Sequence, residues 1–284
     1  MIPPVSRLSR WAPLLAMALA ACGDPGAGRP ANQTEQVSSN AGYVAPPSLT
    51  SAARLASGVV QLKGTVSPGA QIRLASPDGA AFGATAGEDG AWTLDLPASS
   101  EPRMFSVAAQ AGPATLRGEG ALIVLPAPGP PALLARAGFA AVPLSQGSGA
   151  TEIVALDYDS GGGAAIAGLA APDAEVRLTM DNEPAGIGQA DAAGRFAILA
   201  PNRRLSSGTH TLAVEVQSGN ASARASVQPP IDLTAPFRAA RQPGAWRMDW
   251  ALPGGGVQTT LVFDAAAPAA PPEPAPATPP TATR

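Results

Sequence analysis

The chain has 284 residues, 45% of them hydrophobic but only 4% aromatic, and a formal net charge of −3. Its 31 glycines and 32 prolines exclude a helix-rich protein and favour short strands joined by tight turns. So mild a charge, without a basic patch, gives no case for nucleic acid as a partner.

Residues 1–21 read in three parts. Arg7 and Arg10 supply a positive start, "WAPLLAMALAA" is an apolar core, and small residues lead up to Cys22, the single cysteine. The apolar run is too short for a permanent membrane helix and has the layout of an export signal. These residues resemble a bacterial lipoprotein signal, with Leu19-Ala20-Ala21-Cys22 similar to its lipobox. The resemblance implies that Leu19, Ala20 and Ala21 are recognised by a signal peptidase and that Cys22 becomes the first residue. It also implies a diacylglyceryl group on the sulfur of Cys22 and a further acyl chain, such as palmitate, on its amine. This lipid is the one attached group expected; no cofactor and no metal is expected. Several acyl chains, each buried methylene worth about 0.8 kcal/mol, make such attachment effectively permanent. Gly23 stands where lipoproteins kept in the inner membrane often carry Asp, and Asp24 comes one place later. By resemblance, the location is the outer membrane, facing the periplasm. No other apolar run approaches spanning length, so the rest is expected to be soluble apart from its anchor. With Cys22 lipidated, no thiol remains for a disulfide.

Residues 22–46 are polar and aperiodic, which predicts a flexible tether. Behind them lies an internal repeat. "GTVSPGAQIRLASPDGAAFGATAGEDGAWTLDLP" (64–97) and "GLAAPDAEVRLTMDNEPAGIGQADAAGRFAILAP" (168–201) align at an offset of 104 residues. Gly64 meets Gly168, Ile72-Arg73-Leu74 meets Val176-Arg177-Leu178, Gly90 meets Gly194, and Trp92 meets Phe196. Each copy alternates apolar and polar residues, the period of a strand buried on one face, and opens its next strand from a glycine turn. Further strand-like runs follow at 104–110, 120–125, 209–217 and 221–227, and lead-in strands precede each unit. This spacing predicts an all-β chain of two tandem sandwiches, residues 47–126 and 149–229, joined by a connection over 127–148.

The same residues resemble the bacterial immunoglobulin-like repeats of exported proteins, whose second motif is D-x-x-G-x-W/F. Asp191-Ala192-Ala193-Gly194-Arg195-Phe196 matches it. The first copy departs, with Gly87 in the aspartate position and Asp89 beside the glycine, so its turn is expected to close differently. The resemblance implies an immunoglobulin-like β-sandwich and leaves the role of each domain open.

Residues 230–264 hold two more strand-like runs, 245–251 and 257–263, around Pro253-Gly254-Gly255-Gly256, which predicts a C-terminal hairpin. Trp246 and Trp250, four apart, share one face of it. Two readings stand: the face packs on the second sandwich, or it is an aromatic platform for a partner or a sugar. Residues 265–284, "AAAPAAPPEPAPATPPTATR", read as a disordered Pro/Ala-rich tail.

Catalytic chemistry finds little support. His210, the one histidine, falls inside a strand of the repeat, without a recognisable nucleophile motif nearby. Asp157 and Asp159 share a strand face entering a glycine turn. They read as turn residues, with calcium ligation as the other option. The expectation is a non-catalytic envelope scaffold with no enzyme activity. Its partners are the membrane through its lipid, an envelope protein and, as a further candidate, a glycan. Binding is expected first around Trp246 and Trp250 and along a loop at 181–188. The alternatives are a peptidoglycan- or polysaccharide-binding module and an accessory subunit of an export or adhesion complex.

Overall fold

Alternating burial writes most of the strands in the first repeat. In "AWTLDL" every second side chain is buried, and "QIRLA" and "VQLKGT" behave alike. The computed structural model describes residues 45–161, 163–200, 205–217, 219–229 and 233–264, all within the compact unit Val44–Arg284. Among these residues there is no helix.

Seven strands build the first repeat: β1 (Ser48–Arg54), β2 (Val60–Thr65), β3 (Gln71–Ala75), β4 (Ala81–Thr85), β5 (Ala91–Leu96), β6 (Arg103–Ala111) and β7 (Ala114–Val124). Two short strands follow, β8 (Ala132–Ala135) and β9 (Val142–Pro143). The second repeat is β10 (Glu152–Asp159), β11 (Ala164–Leu169), β12 (Glu175–Met180), β13 (Glu183–Gln189), β14 (Arg195–Ala200), β15 (Gly208–Val216) and β16 (Gly219–Val227). The chain closes with β17 (Phe237–Gln242), β18 (Ala245–Ala251) and β19 (Val257–Phe263).

These strands form four antiparallel sheets. Sheet I has the order β1-β2-β5 and sheet II the order β4-β3-β6-β7-β8-β9. Sheet III runs β14-β11-β10-β19-β18-β17 and sheet IV β13-β12-β15-β16. Within each repeat, three strands face four in the same crossing order, 1-2-5 against 4-3-6-7. That is an immunoglobulin-like Greek-key sandwich, present twice in tandem. Residues 183–189 are a strand and not part of a loop. The turn before them is the two-residue Asp181-Asn182, with φ +52° and +65°, the geometry of a type I′ hairpin.

The repeated glycines and aromatics share one physical cause. A Cβ on Gly64 would collide with the Trp92 ring and the Ser48 carbonyl, and one on Gly168 with the Phe196 ring and the Glu152 carbonyl. In each copy an aromatic ring therefore fills the space that a Cβ on the neighbouring strand would take. Gly90 and Gly194 adopt φ of +77° and +76° to turn the chain into β5 and β14. The departure in the first copy alters this turn less than expected. Its backbone closes through Gly90 N to Gly87 O and Gly87 N to Ala91 O, as Gly194 and Asp191 do in the second. Only the capping carboxylate moves: Asp191 Oδ1 accepts from Ala193 and Arg195 N–H, whereas Asp89 Oδ1 accepts from Ala91 N–H.

Trp92 is 3% exposed and its indole N–H has no acceptor among the described residues. The second copy uses Phe there. Trp92→Phe is expected to lie within about 1 kcal/mol of wild type, lost volume offsetting the relieved N–H, while Trp92→Ala costs roughly 3–5 kcal/mol. Urea unfolding of both variants checks this; equal losses would sink the explanation.

Three hydrophobic cores hold the layers. Leu62, Ile72, Leu74, Trp92 and Phe105 fill the space between sheets I and II. Leu156, Ile166, Phe196, Leu212 and Leu261 fill that between sheets III and IV. A third core joins the repeats: Met104, Ile123, Leu125 and Leu133 from the sheet II side meet Val154, Leu169, Met248, Trp250 and Val262 from sheet III. Alanines 135, 140, 141, 155, 165 and 167 in this core let the two sheets approach closely. The inner strands of sheet III are thus covered on both faces, and β11 is buried at all six positions.

Candidate functional site

The seam between sheets II and III gathers three of the six buried polar residues among those described: Asp157, Gln258 and Thr260. On β10 and β19, side chains alternate between the core of the second sandwich and this seam. Leu156, Thr259 and Leu261 face inward, while Asp157, Gln258, Thr260 and Val262 face sheet II. Asp157 is 3% exposed and Gln258 is 2% exposed. Asp157 Oδ2 accepts the Ala141 N–H at 2.7 Å, and its Oδ1 accepts from Gln258 Nε2 at 3.1 Å and from the Thr260 hydroxyl. Gln258 Oε1 in turn accepts the Gly138 N–H at 2.9 Å, while Nε2 reaches the carbonyls of Arg136 and Phe139. The turn between β8 and β9 is therefore gripped by two strands of the other sandwich. Arg195, at the turn into β14, adds a second clamp by donating to the Thr50 carbonyl at 2.9 Å and the Ser145 carbonyl at 3.3 Å.

Beside this network lies a cavity of about 320 Å³ whose lining includes Phe139, Asp157, Asp159, Ala165, Leu199 and Gln258. Asp159 caps its own turn, its Oδ1 accepting the Gly161 N–H at 2.8 Å. The two aspartates read together from the sequence thus part company: Asp159 is the turn residue, and Asp157 is a buried seam residue. Among the described residues no group of three or more His, Cys, Asp or Glu side chains is placed to hold a metal ion.

Trp246, Met248 and Trp250 do share one face of β18, the face toward the seam. Trp250 is 3% exposed and donates from Nε1 to Thr260 Oγ1 at 3.2 Å, so it packs and offers no accessible platform. Trp246 is half-buried, with the Arg241 guanidinium 5.3 Å from its ring centroid and Arg241 itself forked onto Asp264. The opposite face of β18 carries Arg247 and Asp249, both buried. Arg247 donates to Asp249, to Gln228 Oε1 and to the Pro229 carbonyl, and Thr259 donates to Asp249. Leu19, Ala20, Ala21 and Cys22 lie outside the described residues.

His210 is tied at both ring nitrogens, to Asp181 Oδ2 at 2.7 Å and to the Ser206 carbonyl at 2.9 Å. Two acceptors favour the doubly protonated ring. Burial opposes the charge, but the hydrogen bonds to Asp181 and Ser206 outweigh it and lift the pKa above the ordinary 6.5. Asp157 shifts upward too: burial pushes it from 3.8 to about 6, against the pull of Thr260, Ala141 and Gln258.

Both shifts make acid pH favour the fold. Between the unfolded and folded pKa of Asp157, the native state holds a proton that the unfolded chain has lost. Stability therefore falls as pH rises from about 4 to about 6, by roughly 3 kcal/mol in all. The contribution of His210 is complete below 6.5 and is lost as pH rises through its raised folded value. Unfolding free energies measured by urea from pH 4 to 8.5 should decline in two arms. Asp157→Asn should flatten the lower arm and His210→Gln the upper. A stability that climbs over pH 4–6 would contradict the assignment to Asp157.

No protein-family model matches the chain, and no curated protein matches it. Solved structures similar to it include a "Biofilm associated protein - BSP domain", 14% identical over 67% of this chain and 30% of that one, with a TM-score of 0.22. The chain thus spans under a third of that protein's length. The "Central Fibronectin-III array of RIM-binding protein" is 15% identical over 73% and 79% of the two chains, at a TM-score of 0.24. "Titin-A168169" is 10% identical over 63% and 96%, at 0.21. At such scores these likenesses carry no argument of their own, and the sandwich assignment rests on strand order.

Proposed function

We propose that the chain is a non-catalytic scaffold of the cell envelope, a pair of immunoglobulin-like sandwiches fused into one stiff body and held to the outer membrane by acyl chains on Cys22. The observation that carries the scaffold half of this reading is the third core. Tandem sandwiches need only a linker, yet here about fifteen buried residues from both repeats close a continuous layer between sheets II and III. Such a seam resists the hinge motion expected of beads on a string. It suits a part that must hold a partner at a set distance and angle.

The anchor half rests on the lipobox-like run Leu19-Ala20-Ala21-Cys22 behind a basic and apolar start. Cys22→Ala is expected to abolish incorporation of labelled palmitate and to move the protein from the membrane pellet to the soluble fraction after a high-salt wash. A variant that stays in the washed pellet would refute the anchor and leave the scaffold reading standing.

A further inference from the structure

Among the exposed large apolar side chains are Phe139 at 53% and Leu199 at 50%, and both line the cavity beside the Asp157 network. Their exposure has a structural reason. Ala165, the cross-strand neighbour of Leu199 on β11, is 5% exposed, so the cover provided by sheet II ends between β11 and β14. Leu199 is left on the bare outer strand of sheet III, and Phe139 overhangs from the β8–β9 turn held by Gln258. The result is an apolar slot with a fixed wall on each side.

Its polar end is acidic. Asp157 and Asp159 stand two apart on one face of β10 and both line the slot, while no Lys, Arg or His is among the lining residues. A carboxylate oxygen offers two acceptor directions. Oδ1 of Asp157 uses both, for Gln258 and Thr260, whereas Oδ2 takes only the Ala141 N–H among the described residues. At about 320 Å³ the slot is at the small end of ligand pockets, suited to one or two side chains and not to a large cofactor. Apolar walls leading to unneutralised carboxylates complement an aliphatic stem ending in a cation.

We propose that this slot binds a lysine or arginine side chain, presented with an adjacent apolar residue by a peptide segment of a partner protein. The proposal rests on the reading of the chain as a binding scaffold and gives that scaffold a specific contact. Phe139 and Leu199 sandwich the stem and its apolar neighbour. Asp157 Oδ2 and Asp159 accept from the cationic head.

The test pans phage-displayed random heptapeptides against the full chain in detergent. The affinity of an enriched peptide is then measured by fluorescence polarisation. Enriched peptides should carry Lys or Arg within two positions of an apolar residue. Leu199→Ser, Asp159→Asn, and replacement of peptide arginine by citrulline or lysine by norleucine should each weaken binding roughly tenfold or more. Leu199 is half exposed and Asp159 partly so, and an unchanged melting temperature separates loss of the slot from loss of the fold. The citrulline and norleucine peptides test the charge with the protein untouched. No enrichment over a detergent-only control, enriched peptides without a basic residue, or affinities indifferent to these changes would each overturn the proposal. None of those outcomes bears on where Cys22→Ala fractionates, so the two readings fail separately.

Discussion

Trp250→Ala should split the unfolding of this protein into two transitions. Trp250 is 3% exposed in the core between the repeats, and its indole N–H holds Thr260, which in turn donates to Asp157. Truncating it leaves a cavity in the layer that couples the sandwiches and strips one link from the polar network at its edge. Aromatic-to-alanine changes in a core cost roughly 3–5 kcal/mol, and here the loss falls on the coupling between repeats. Scanning calorimetry should show one cooperative peak for wild type and two for the variant, with sheets I and II melting apart from sheets III and IV. Trp246→Ala, at a half-buried position, should cost no more than about 1 kcal/mol and leave one peak. A Trp250→Ala protein that still melts in a single transition, at nearly the wild-type temperature, would mean that the third core does not couple the repeats.

The second large effect is expected at Arg247. Arg247 and Asp249 are 4% and 2% exposed, and the guanidinium donates to the carboxylate through both Nε and Nη2. Arg247→Met leaves Asp249 buried beside Thr259 without a counter-ion, which costs about 3–5 kcal/mol. The double variant Arg247→Met/Asp249→Leu removes both charges together and should recover most of that loss, because an apolar pair of similar volume avoids desolvating either ion. Urea midpoints of wild type, the two single variants and the double variant form the cycle. A double variant as unstable as Arg247→Met alone would show that the loss comes from packing and not from an orphaned charge.

Much of the sandwich architecture is legible in the residues, because one-sided burial leaves a period of two. "AQIRLAS", "AEVRLTM" and the Gly-aromatic pairs mark their strands directly, and the runs 245–251 and 257–263 coincide with β18 and β19. The seam is harder to read, since the inner strands of sheet III are buried on both faces and so lose the alternation that identifies a strand's inner side. The signal is present all the same. "AAIAGL" in β11 is apolar throughout, whereas its counterpart "VQLKGT" in β2 alternates, and an unbroken run is what two-sided burial requires. Short β8 and β9, set among prolines, look like linker until sheet II supplies an edge to pair with. Asp157 misleads for a related reason. Beside a glycine cluster it resembles a turn residue, and only the approach of Ala141 from the other repeat makes it a buried one. The spacing of Trp246 and Trp250 fixes their common face but not what covers it.

The pairing of β10 with β19 has a consequence for how the molecule is made. Leu156 is registered against Leu261, so the first strand of the second sandwich acquires one of its two neighbours only after β11 to β18 have emerged. The first sandwich closes from seven consecutive strands and can form early, as the leading domain of a growing chain does. The second keeps an apolar strand edge open until β17, β18 and β19 arrive to fill it. That edge is a hazard while it lasts, since unpaired strands invite association with other chains. A polypeptide cut short before Val257 would carry the exposed edge permanently. Strand β19 thus decides when the open edge of β10 is closed.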